Sequence, residues 1–344
     1  MRPGNTPGQT PGSPGSLPAV AYPTAPRRRQ PREQGAILLL VLWVLALLSI
    51  MILSWTQEWR TEIQLAANFR DAARCRSLAE AGIHYALAKL IAAKTAELQS
   101  RSVAESVPLS PDIWLGDQRR RLLELPGGKV EIQVADEGGK LDLNLVYGKV
   151  LASLFEAMGF PETRVRIMVD SIQDWRSKGD QPRPYGARDA YYLGLNPPYR
   201  SKSARFDTVE ELSWVRGFTG SNLKALAAFL TTQSFGLKVN VNTAPKEVLL
   251  AIGFTPDQVM ALLAARQTRY LRQLRDVPQV TVDPQAMQMM QNLVYTSSPF
   301  FTILATGMIN NKGRARHTIK AIVRLDLTEK TDWTYLYWAD DYPG

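Results

Sequence analysis

Proton transfer near neutral pH falls first to histidine, whose imidazole titrates in that range. The chain has two, His84 and His317, far apart in sequence and on segments that read as a helix and a strand. Neither stands in a recognisable nucleophile or metal pattern. There is no Gly-x-Ser-x-Gly and no His-Glu-x-x-His. Gly127-Gly128-Lys129 lacks the first half of a phosphate-binding loop and precedes a strand instead of a helix. The one cysteine, Cys75, forbids an intramolecular disulfide and every paired-cysteine motif. With these motifs missing, the chain reads as a binding or structural protein and not as an enzyme.

The other chemistry to weigh is recognition of nucleic acid. Lysine and arginine number 41 against 32 aspartate and glutamate, a net charge of +9. Five arginines and one glutamate of that balance lie within residues 1–35, so +4 of it belongs to the stretch before an apolar run and +5 to the rest, which is weak evidence for a nucleic-acid footprint. A basic cluster does exist at Arg266, Arg269, Arg272 and Arg275. It follows Asn240-Val241-Asn242-Thr243-Ala244 and Ile252-Gly253-Phe254-Thr255, which resemble the helix-hairpin-helix of membrane-anchored competence DNA receptors. Those hairpins bring backbone amides of a Gly-x-Gly turn to a phosphate. Here Thr255 replaces the second glycine and Pro256 removes a further amide, so DNA binding is the lesser alternative and no nucleic acid is expected.

The elements that organise the chain begin with an uncharged run from Ala36 to Gln57. Its length as a helix is about 30 Å, enough to cross a bilayer's hydrocarbon core. Arg27, Arg28, Arg29 and Arg32 precede it and Glu58 follows, which predicts a cytoplasmic N-terminus and an external remainder. A secretory signal carries its small residue after the apolar core. Here Gly35 stands before it, an arrangement that resembles a type IV prepilin leader, cut after the glycine on the cytoplasmic face. Residues 1–26, rich in Pro, Gly, Thr and Ser, read as a disordered cytoplasmic tail. Residues 58–98 contain no proline and one glycine, Gly82, and helix formers dominate them. The apolar run is therefore expected to continue as one long helix ending before Pro108, the outer half serving as the spine of a soluble domain.

Beyond that helix the pattern changes twice. Lys129 to Val134 alternates with period two, as a half-buried strand does, after a turn at Gly127-Gly128. Helical patterns follow at Val150–Met158, Glu162–Trp175, Thr208–Val215 and Ser221–Phe229, with Thr208 and Glu211 spaced as a capping box. A loop rich in Pro, Gly and charge, Ser177 to Pro198, interrupts them. Pro245 opens a second helical unit, Lys246–Ile252 and Pro256–Arg266. Strands return at Phe300–Ala305 and Ala315–Leu325, with Gly307 to Gly313 expected as the hairpin turn between them. The expected class is α+β: a long N-terminal helix packed on a small antiparallel sheet that a large helical insertion splits.

Several of these stretches, in this order and spacing, resemble the protein K family of type II secretion systems, the large minor pseudopilins. They are Gln34-Gly35-Ala36, Asp136 to Asn144 (DEGGKLDLN), Asp174-Trp175, Gly186 to Tyr192, Val209 to Leu212 with Val215-Arg216-Gly217, and Val239 to Pro245 (VNVNTAP). The resemblance covers nearly all of the chain from Arg27 onward. It implies a leader over residues 1–35, a transmembrane half-helix over 36–57 and a pilin-like domain over 58–136 and 297–344. Between them it implies two SAM-like helical units, 137–236 and 237–296.

It further implies cleavage between Gly35 and Ala36 by a prepilin peptidase, methylation of Ala36, and a single-pass anchor in inner-membrane lipid with a periplasmic C-terminal domain. Leu40 takes the fifth mature position, usually a glutamate in prepilins but typically not in this family. The implied partners are minor pseudopilins I and J and the major pseudopilin, with Leu40, Ile63 and Ala67 as assembly residues on the long helix. The family also implies a calcium site in the helical insertion, for which Asp174, Asp180 and Asp189 are the candidate ligands. The chain departs from the family there, with Arg176, Ser177-Lys178 and Arg188 where acidic residues are usual.

Overall fold

The structure, a computed structural model, describes residues 34–100, 114, 116–234, 236–273, 276, 292–309, 315–326 and 332–343. The tail and most of the leader, Arg275, and the tip of the expected turn after Gly307 lie outside the described residues. The chain forms two compact units, residues 1–64 and residues 65–344.

Helix α1 runs from Gln34 to Ser100 with no break, as the lack of proline between those residues predicts. It contains a stretch apolar and long enough to cross a membrane. In the first unit every large apolar side chain from Ile37 onward is exposed, among them Leu40 at 65% and Ile63 at 65%.

In the second unit α1 turns one face into a core. Ala79, Ile83, Ala86, Leu87 and Leu90 pack on Val130, Ile132, Val134, Ile303, Ala305, Ile319, Ala321 and Val323 of a five-stranded sheet. Its order is β1-β2-β7-β8-β9, where β1 is Asp117–Leu125, β2 Gly128–Asp136, β7 Phe300–Met308, β8 Arg316–Asp326 and β9 Asp332–Ala339. All four pairings are antiparallel. Strands β1 and β2 join through Pro126-Gly127, where Gly127 takes φ +94°, a conformation glycine adopts at little cost. Gly307 departs from its expected place in a turn: it lies inside the central strand β7, paired with Val130 and His317. A Cβ there would fall 2.0 Å from the Cys75 carbonyl oxygen and 2.8 Å from the Ala79 nitrogen, so the helix backbone rests directly on this residue. The helix answers with small residues at Cys75, Ala79, Gly82 and Ala86.

The regular structure of the insertion between β2 and β7 is chiefly helical: α2 Gly148–Ala157, α3 Glu162–Arg176, α4 Asp189–Tyr192, α5 Gly220–Leu226, α6 Lys246–Ala251 and α7 Pro256–Thr268. Thr208 and Glu211 do form a capping box, but they open a six-residue 3-10 helix, Val209–Trp214. A second box, Thr255 with Gln258, starts α7. Two short parallel pairs complete the insertion: β3 (Leu141–Asp142) with β4 (Leu230–Thr231), and β5 (Val239–Asn240) with β6 (Val294–Tyr295). One hydrophobic core runs through it, from Leu151, Phe155, Met168 and Ile172 to Val248, Leu249, Val259 and Leu262. Packing is thus continuous across residues 236–237, where two helical units were expected to meet.

Candidate functional site

The predicted cleavage site, Gly35-Ala36, lies in α1. Of the expected assembly residues, Leu40 and Ile63 belong to the first unit and Ala67, half-buried, to the second. Trp55, Trp59 and Ile63 follow one another four residues apart and are each more than 60% exposed.

The densest polar construction lies where the sheet meets the insertion. Asp136 ends β2 and is buried. Its Oδ1 accepts from the Gly138 amide at 2.8 Å. Its Oδ2 accepts from Asn240 Nδ2 at 2.7 Å and Thr243 Oγ1 at 2.6 Å. Glu137, also buried, takes Lys140 Nζ at 2.6 Å and Thr302 Oγ1 of β7 at 2.7 Å. Asp142 accepts from Ser234 Oγ at 2.8 Å, and Asn144 grips both backbone groups of Phe206. Gly138 and Gly139 are required by proximity: a Cβ would fall 2.0 Å from Tyr295 Oη at the first and 2.7 Å from Thr243 Oγ1 at the second. The DEGGKLDLN and VNVNTAP stretches therefore act on each other, fastening sheet to insertion. Sequence reading noticed both and missed that Asn240 and Thr243 are ligands of Asp136. The signal was there in the side chains: short amides and hydroxyls beside a buried acid, which must find donors.

The two adjacent acids have opposite pH behaviour. Burial outweighs the donors around Asp136 and holds its carboxyl above the usual range. Burial also pushes Glu137 up, but the Lys140 charge, the Lys140 hydrogen bond and the threonine hydroxyls overcome it, leaving its carboxyl below the usual range. A lowered acid contributes stability above its unfolded value, and loses it as pH falls through the folded value. A raised acid does the reverse, so Asp136 opposes folding as pH rises through its folded value. Glu137→Gln strands the Lys140 charge, and we expect a deficit of about 3 kcal/mol at neutral pH. The deficit should shrink as pH drops below the ordinary glutamate range. Urea unfolding of both proteins across pH 3–7 checks this, and a deficit independent of pH contradicts the ion-pair account.

The three candidate calcium ligands are not brought together. Asp174 is fully buried, and Arg183 Nη1 lies 2.7 Å from its Oδ1. Asp189 accepts from Ser201 N at 2.8 Å and Ser201 Oγ at 2.7 Å, while Asp180 is exposed. Among the described residues no three His, Cys, Asp or Glu are placed to hold a metal ion, and the residues present do not fit calcium. The DNA alternative fares no better. Arg266 donates inward to the Val241 and Ala244 carbonyls at 3.2 and 2.7 Å, and Arg269 to the Asp276 carbonyl at 3.2 Å. The Thr255 and Gln258 amides that would meet a phosphate are occupied by the reciprocal cap. His84 is exposed on α1, and His317 on β8 meets Asp340 at 2.6 Å, so the two stand on separate elements without a nucleophile between them.

Comparison with known proteins agrees with this architecture. Two family models, both described as type II secretion system protein K, match residues 134–233 and 239–292. The type II secretion system protein K of Aeromonas hydrophila is 32% identical over 114 residues, 32% of this chain and 34% of that protein. That alignment therefore spans about a third of the relative's length. The Klebsiella pneumoniae protein of the same name is 23% identical over 252 residues, covering 69% of this chain and 74% of its own length. In solved structures, the GspK-GspI-GspJ complex from the enterotoxigenic Escherichia coli type 2 secretion system contains a chain of like fold. Its TM-score is 0.56 at 15% identity, over 78% of this chain and all of that one. With a long apolar-headed helix, a split antiparallel sheet and a fastened helical insertion, the chain is similar in sequence and fold to the protein K family of type II secretion systems, whose models match its insertion.

Proposed function

We propose that this chain is a minor pseudopilin that caps or initiates the pseudopilus of a type II secretion system and so supports protein export, as a structural component and not an enzyme. The observation that carries this is the change of character along α1. Large apolar side chains from Ile37 to Phe69 are exposed, and full burial begins at Cys75. A helix so built is covered by lipid at its start and by other helices beyond it. Trp55 and Trp59 suit a headgroup level, and the arginines before the apolar run, Arg27 to Arg32, favour a cytoplasmic N-terminus with residues 58–344 in the periplasm. A prepilin peptidase cuts between Gly35 and Ala36, and Ala36 is methylated. The solved relative is a complex with GspI and GspJ. On that model minor pseudopilins I and J are the partners along Ile63 and Ala67, with the major pseudopilin below. The insertion comprises two SAM-like units sharing one core.

Position at the tip follows from bulk and from Leu40. A helical array holds each globular domain against those above and below, and the insertion between β2 and β7 would meet a subunit stacked on top. At the tip that space is open. With leucine at the fifth mature position the subunit has no carboxylate for a neighbour's terminal amine, and at the tip none lies above. Gold labelling of a tag after Gly344 tests the reading. We expect label confined to one fibre end; label along the fibre refutes the cap.

A further inference from the structure

We infer that the loop between α3 and α4 is locked by the chain's own guanidinium groups in the place of a metal ion, so that its fold is indifferent to calcium. The inference stands apart from where the chain sits in a fibre.

Asp174 occupies the last turn of α3, where the helix dipole presents its negative end, and its side chain is fully buried. A carboxylate so placed must have a countercharge. Arg183 supplies it twice, through Nη1 on Oδ1 at 2.7 Å and through its backbone N–H on Oδ2 at 3.0 Å. Arg188, itself only 7% exposed, brings Nη2 to 3.5 Å of Oδ1. Both oxygens are thereby spoken for. The neutral oxygens that an ion would recruit are spent as well. The Ser177 carbonyl accepts from Arg188 Nη1 at 2.6 Å, and the Gly186 carbonyl from Arg216 Nη1 at 3.1 Å.

Space closes the argument. A Cβ on Gly186 would lie 1.9 Å from Asp174 Oδ2, so the chain is folded flat over the carboxylate. Calcium requires six to eight oxygens around it at about 2.3–2.6 Å, and there is neither the volume nor the donor set. Asp189, the other acid of the loop, is turned to Ser201 and Arg200. A guanidinium differs from an ion in one respect that matters: it is tethered and does not dissociate.

The test uses the full chain in detergent micelles, with calcium chloride as the probe. We expect the thermal midpoint, and the rate of tryptic cleavage after Lys178, to be the same in millimolar calcium and in chelator. A midpoint that climbs with calcium, or cleavage that slows with it, overturns the inference. Arg188→Gln, which keeps a donor for Ser177 and loses the charge, should speed loop cleavage about tenfold in either condition. Cleavage unchanged in this variant, or restored by calcium, also overturns it. Arg188→Lys keeps the charge without the fork and should fall between the two, which keeps the test open if the glutamine variant does not accumulate.

Discussion

A chain carrying Gly35→Val is expected to keep its leader in cells that hold a prepilin peptidase, with no processed form on N-terminal sequencing of the membrane fraction. The argument is conformational. Gly35 lies in α1, so cleavage of the bond to Ala36 needs the helix opened there and laid into the peptidase. Glycine in a helix is less stable than alanine by about 1 kcal/mol, so opening at Gly35 costs little. Valine adds a β-branch to the strand that must approach the enzyme's backbone closely, where glycine offers none. Uncut protein also lacks a free amine at Ala36 and should be missing from fibres. Normal processing of the valine variant would show that the cut lies elsewhere. Gly35→Ala, smaller by two methyl groups than valine, should be cut slowly.

Gly307→Val is expected to lower the thermal midpoint by about 10 °C, a loss of roughly 4 kcal/mol for a domain of this size. The added Cβ alone meets the Cys75 carbonyl at 2.0 Å and the Ala79 amide nitrogen at 2.8 Å. These are backbone atoms of α1, which no rotamer change can move. Relief comes only if helix and sheet part, and that uncovers Ile83, Leu90, Ile132 and Ile303 together. Differential scanning fluorimetry of the detergent-solubilised chain measures the shift. An exposed control such as Gly159→Ala, at φ +82° with nothing within 4 Å, should cost far less. Equal losses in the two would mean that backbone conformation and not helix–sheet contact governs the site.

Sequence reading reached α1, β2, β8 and the main helices because each has a long enough period to declare itself. Strand β1 escaped it: Arg119, Arg120 and Arg121 break any alternation, and an edge strand with both faces largely wet needs none. Strand β9 escaped for a different reason. Its pairing with β8 shifts between Ile322 and Val323, so Leu336 is an extra residue, and large side chains at Tyr335, Leu336, Tyr337 and Trp338 stand on both faces and blur any alternation. The parallel pairs β3–β4 and β5–β6 are two residues long, too short for any pattern. Gly307 was misplaced because a glycine near other glycines suggests a turn, whereas its role depends on a helix more than 200 positions earlier. At the candidate metal loop the three acids were legible but their partners were not. In sequence Arg188 is a departure from the family's acidic residues, while its geometry makes it a replacement for an ion.

On the proposed topology, the split sheet also sets an order of events as the chain crosses the membrane. Strands β2 and β7 are neighbours in the sheet, Asp136 opposite Phe301, yet the whole insertion separates them along the chain. A chain delivered across the membrane from its N-terminus presents β1 and β2 early, with Val130, Ile132 and Val134 still lacking the strand beside them. The closure entropy of so long a loop is an obstacle to pairing until something draws its ends together. Folding of the insertion does so, since Asp136 at its entry is bonded to Asn240 and Thr243 near its far end. The helical part thus serves as an internal template for the strands on either side of it. The long helix must wait, its inward face uncovered, until nearly the last residue has emerged.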